Sequence, residues 1–122
     1  MTDHHGGAEA RIKAEVGSWE GVEVGPHRFG GVEFRLGRRE LGHVHGDRIA
    51  DLPFPRRLRD ELIATGRAHA HHVLPDTGWV TVPLGGPRDV EGAIELFRLS
   101  YERAERARRS RQSANGERTF DA

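Results

Sequence analysis

Histidine carries most of the chemical potential of this chain. Five of its eight histidines fall between Arg39 and Leu84, in two clusters: His43 with His45, and His69 with His71 and His72. Two positions apart on an extended strand, His43 and His45 project from one face, roughly 7 Å apart along it. That spacing suits two ligands of one metal, or two acid–base groups lining a pocket. In the second cluster His69 and His71 share a face and His72 takes the other. If the two segments are neighbours in one sheet, three imidazoles converge, and three histidines plus water is a known catalytic zinc arrangement. Glu40, Asp47 and Asp76 are near enough to orient an imidazole through its second ring nitrogen. The same residues also fit a partly solvated sheet face, each ring bonded to water or backbone, since HxH arises by chance and no HExxH accompanies it.

Two aromatic residues frame these clusters. Trp79 shares a strand face with Thr81, opposite Val80 and Val82. If the valines build the core, the indole lies on the other side, where it lines a binding site or joins a small second apolar cluster. Tyr101 continues the apolar stripe of the last helical segment, so its hydroxyl reads as a core tether. His27 follows Gly25-Pro26 without a visible partner.

Composition removes several function classes. The chain has no cysteine, which excludes disulfides, thiolate metal sites and cysteine nucleophiles. Its net charge is zero with histidine neutral, without the electrostatic footprint of a nucleic-acid binder. Arg103, Arg106, Arg108, Arg109 and Arg111 form a basic run, but Glu102 and Glu105 within it favour a solvated face. There is no GxGxxG, P-loop or GxSxG, so no flavin or nicotinamide motif. The N-terminus lacks an apolar signal region, and no apolar run approaches the ~18 residues of a membrane span. These features predict a cytoplasmic protein without a membrane partner. Lys13 is the one lysine among 19 basic residues, a bias that fits a GC-rich, bacterial genome.

The elements that must position the histidines follow from periodicity. Residues 1–7 are polar and predicted flexible. Ile12, Val16 and Trp19 mark an amphipathic helix over residues 8–19. Val22 and Val24 give a short first strand ended by Gly25-Pro26, and Val32, Phe34 and Leu36 a clear second one. Gly37-Arg38 turns the chain into a third strand, Glu40 to His45. Asp51 to Pro55 reads as the lead-in to a helix over residues 56–65, with Leu58, Leu62 and Ile63 inward and Gly66 at C′. Strands over 68–74 and 79–84 flank the turn Pro75-Asp76-Thr77-Gly78. After Pro87 the last helix carries Val90, Ile94, Phe97, Tyr101 and Ala104, and the pattern fades beyond Arg106. The expectation is an α+β fold: one antiparallel or mostly antiparallel sheet of about five strands, helices packed on one face. One domain spans 8–106, and 107–122 form a flexible arginine-rich tail.

The stretches GRRELGHVHGDRIADLPFP, HAHHVLPDTGWVTVPL and LFRLSYERA resemble the luciferase-domain family, which includes a fungal luciferase that oxidises a hydroxylated styryl-pyrone with oxygen. The likeness covers most of residues 27–104, and His69 stands where an acidic residue would be expected. It implies a catalytic role for His43, His45 and Glu40, and substrate contacts by His71, His72, Trp79, Asp51 and Tyr101. The implied partner is a small phenolic or pyrone-like aromatic, handled by an oxygenase-like protein without a cofactor. So small a chain would complete a deep pocket across a homodimer interface. The alternative cofactor is a divalent transition metal on His43, His45 and His71. A layout likeness to MmcQ/YjbR-like domains, which share the Trp-bearing strand and a last helix with Ser100-Tyr101, suggests a nucleic-acid or protein interaction module instead.

Overall fold

Alternating apolar residues in successive short segments build a six-stranded sheet in the order β1-β2-β3-β4-β6-β5. The strands are β1 (Val22–His27), β2 (Gly31–Leu36), β3 (Arg39–His45), β4 (Ile49–Pro53), β5 (His69–Ala70) and β6 (Trp79–Pro83). Every neighbouring pair is antiparallel. Three helices accompany them: α1 (Ala8–Val16), α2 (Arg56–Ala64) and α3 (Asp89–Asp121). The computed structural model describes residues 7–71, 73 and 77–121, the side chains of Phe29 and of residues 114–121 excepted. No described helix is long and apolar enough to cross a membrane.

The core lies between one sheet face and the helices. Val44, Ala50 and Val82 are in register on β3, β4 and β6 and all are buried. With Phe34, Leu52 and Val80 they meet Ile12 and Val16 of α1 and Leu96 and Phe97 of α3. Phe34 and Phe97 pack edge to face, centroids 5.2 Å apart, the arrangement that suits their quadrupoles. Leu62 brings α2 into the same core. Gly66, at a φ of 78°, ends α2 as a C′ glycine: its amide reaches the Ile63 carbonyl and the amide of Arg67 that of Leu62. Among the described side chains Ala104 is the last that α3 buries, although the helix runs on to Asp121.

Two features depart from plain alternation. The first is consecutive burial, of Ala50, Asp51 and Leu52 on β4 and of Val80, Thr81 and Val82 on β6, so neither strand shows a polar rhythm in its burial. The second is a β-bulge. Phe34 pairs with Gly42 but Arg35 pairs with Glu40, leaving Leu41 as the extra residue on β3. Leu41 turns into the core, where its carbonyl accepts a hydrogen bond from the Ser100 hydroxyl at 2.9 Å. Glu40, three residues before His43, thereby comes round to the face that His43 occupies, which strict alternation would forbid.

Candidate functional site

The sheet face away from the core is polar and read by register. Glu33 stands opposite His43, His43 opposite Asp51, Asp51 opposite Thr81 and Thr81 opposite His69, one row across five strands. At its centre is Asp51, only 1% exposed. Its Oδ1 accepts a hydrogen bond from the Thr81 hydroxyl at 2.7 Å. Its Oδ2 faces three imidazole Nε2 atoms: His43 at 3.2 Å, His71 at 3.6 Å and His45 at 3.8 Å. The two histidine clusters therefore do converge, and they converge on a carboxylate.

His43 is held from both sides. Its Nδ1 lies 2.7 Å from Glu40 Oε2, while its Nε2 approaches Asp51. Burial opposes charge on this ring, but the contacts with Asp51 and then Glu40 outweigh it and raise its pKa from 6.5 to about 9. The same balance acts in reverse on Asp51. Burial pushes its carboxyl up, and the bonds from His43 and Thr81 hold it below the usual carboxylate range. His71 is oriented differently. The amide of Val73 donates to its Nδ1 at 3.1 Å, so that nitrogen keeps its lone pair and Nε2 carries the hydrogen that faces Asp51.

Trp79 joins the clusters. Its ring centroid lies 5.3 Å from that of His43 and 6.2 Å from that of His71. On the other side His27 stacks on His43, centroids 3.8 Å apart and planes 14° from parallel. His27 Nδ1 in turn binds Glu33 Oε1 at 2.8 Å, and Glu33 Oε2 receives Arg35 at 2.6 Å. These two bonds keep the Glu33 carboxyl below its ordinary range. One ring nitrogen from each of His27, His43 and His45 lies within 4.8 Å of the other two.

Of the residues singled out from sequence, Glu40, His43, His45, Asp51, His71 and Trp79 thus gather at one place. His72 and Asp76 lie outside the described residues. Tyr101 belongs to the core side: its hydroxyl donates to the Glu20 carbonyl at 2.7 Å, and its ring packs on Trp19, centroids 5.4 Å apart. Tyr101→Phe is accordingly expected to cost about 1 kcal/mol of stability in urea unfolding and to leave ligand binding at the histidine face unchanged. Among the described residues Asp47 meets no imidazole; its Oδ1 accepts the Glu9 amide at 2.9 Å and so ties down the start of α1. His69 is exposed.

His27, Glu33 and Thr81 complete the site without having been singled out. Gly25-Pro26 reads as the end of a strand, yet β1 is an edge strand, where a proline without an N–H is tolerated. The strand continues to His27, which pairs with Gly31 and lands beside β3's histidines. Extending the β1–β2 hairpin through the proline is the step that would have found it.

Comparison with known proteins gives one match: the family model of the luciferase domain fits residues 38–100, more than half of the 122-residue chain. The matched stretch contains His43, His45, His71 and Thr81, the described residues named above around Asp51. No similar curated protein and no similar solved structure was found.

Proposed function

The chain belongs to the luciferase-domain family, and from that premise we propose that it binds a small phenolic or pyrone-like aromatic on the histidine face and oxygenates it. The observation that carries this reading is the position of Trp79, whose ring lies 5.3 Å from that of His43 and 6.2 Å from that of His71. A flat aromatic laid against the indole would direct a ring hydroxyl at the imidazoles. Offset or edge contact with such a ring contributes about 0.5–1.5 kcal/mol beyond area burial.

Loss of the hydroxyl proton then makes the ring electron-rich, the state in which dioxygen attacks it. His43, its pKa raised to about 9, already carries its proton at neutral pH, so we assign the proton transfer to His45 and the pairing with the resulting anion to His43. Glu40, Asp51 and Thr81 act behind them as positioning residues, since their contacts fix His43 and its neighbours.

The test is a thermal-shift screen of phenols and hydroxypyrones, followed by oxygen uptake with whichever compound binds. Trp79→Ala is expected to weaken that binding about tenfold, equivalent to about 1.4 kcal/mol. Unchanged affinity in Trp79→Ala, or no oxygen uptake by the wild type with any bound aromatic, would count against the reading.

A further inference from the structure

We propose that His43, His45 and Asp51 hold one divalent first-row transition metal on this face. The proposal rests on the same location as the aromatic site and names its cofactor.

Spacing supports it first. An ion with bonds near 2.1 Å sets neighbouring ligand atoms about 3.0 Å apart in octahedral and about 3.4 Å apart in tetrahedral geometry. The Nε2 atoms of His43 and His45 stand 3.2 and 3.8 Å from Asp51 Oδ2, around those separations. A hydrogen bond between N–H and O spans 2.7–3.2 Å, so the His45 approach is too long to be one. The sheet itself enforces the grouping: His43 and His45 are alternate residues of β3, and Asp51 is the partner of His43 on β4.

The groups behind these atoms have the form that metal ligands require. A ligating histidine commonly donates its other ring N–H to a carboxylate, which fixes the tautomer and strengthens the lone pair. Glu40 stands at 2.7 Å from His43 Nδ1 in that role. Thr81 holds Asp51 Oδ1 at 2.7 Å, which leaves Oδ2 turned to the imidazoles.

Geometry also separates ligands from bystanders. The His27 and His43 rings are stacked 3.8 Å apart and nearly parallel, so an ion between their planes would lie far out of both, away from the in-plane lone pairs. His71 keeps its lone pair on Nδ1, occupied by the Val73 amide, and presents a hydrogen to Asp51. Among the described residues this selects two imidazoles and one carboxylate, a set of the kind that leaves positions open for a substrate oxygen and dioxygen. Trp79, whose ring is 5.3 Å from that of His43, stands beside this set.

The untagged full chain, cleared with a chelator, is titrated with Co(II), with circular dichroism as the check on folding. One equivalent should bind with intensified visible ligand-field bands. His45→Ala and Asp51→Asn should each weaken that binding at least tenfold, and His45→Ala decides if Asp51→Asn fails to fold. A variant with His4→Ala, His5→Ala and His69→Ala should bind as the wild type does. Unchanged cobalt affinity in folded His45→Ala, absence of the bands, or loss of the metal in the triple variant would overturn the site. Aromatic binding, scored separately in chelated and loaded protein, reads the substrate proposal: metal without an aromatic leaves the centre standing, and an aromatic without metal leaves the binding face alone.

Discussion

Gly42→Ala is expected to lower stability by about 3 kcal/mol or more, read as a large fall in the urea midpoint. Two costs add. Gly42 has a φ of 154°, which side-chain-bearing residues rarely adopt. A Cβ there would also stand 2.8 Å from Phe97 Cε1, 2.9 Å from the Asp51 carbonyl oxygen and 3.0 Å from Leu52 Cγ. The Phe97 ring is fully buried and the carbonyl is sheet backbone, so neither can yield cheaply. Gly37 supplies the control. Its φ is 64° but a Cβ would meet nothing within 4 Å, so Gly37→Ala should cost only about 1–2 kcal/mol. Equal midpoints for the two variants would mean that the bulge yields readily. The functional consequence follows from register, because this bulge is what brings Glu40 round to His43. A surviving Gly42→Ala protein should therefore lose site geometry as well as stability.

That bulge also explains where sequence reading stops. Helices α2 and α3 and strands β2 and β6 follow from apolar spacing, because each turns its apolar residues to the core, although Thr81 on the other face of β6 is buried as well. His43 and His45 share a face for the same reason. The strand that carries Asp51 offers no such rhythm. Ala50 and Leu52 go into the core while Asp51 is buried on the opposite face, and Pro53 and Pro55 close the segment like a loop. A carboxylate buried beneath imidazoles looks, in sequence, like a polar residue ahead of a helix. The convergence of the clusters depends on this missed strand, since β4 stands between β3 and β6 and provides the atom they share. Periodicity reports which residues are inward. It does not report what the outward residues of neighbouring strands meet.

In chelator-treated protein, stability is expected to decline by about 3 kcal/mol as pH rises from about 6.5 to beyond 9. The cause is His43, whose pKa in the folded protein is raised to about 9 because Asp51 and Glu40 outweigh the cost of its burial. Below the unfolded value, both states hold the proton and the stabilisation is complete. Between the two values only the folded ring holds it, so unfolding releases a proton and alkali favours the unfolded chain. Above the folded value the contribution is gone. Asp51 closes the window from the acid side. Its pKa is lowered in the fold, so its contribution is present above the ordinary carboxylate range and fades as pH falls through the folded value. Both shifts draw on one contact, 3.2 Å between His43 Nε2 and Asp51 Oδ2, so they set two edges of a plateau and their energies do not add. Urea unfolding at pH 6 and pH 9.5 checks the alkaline edge: the wild type should lose stability between them and His43→Gln should lose much less. Equal losses in the two proteins would show that the imidazole is not held by its carboxylates. A bound metal would reverse the slope over the same range, because coordination requires His43 to give up its proton first.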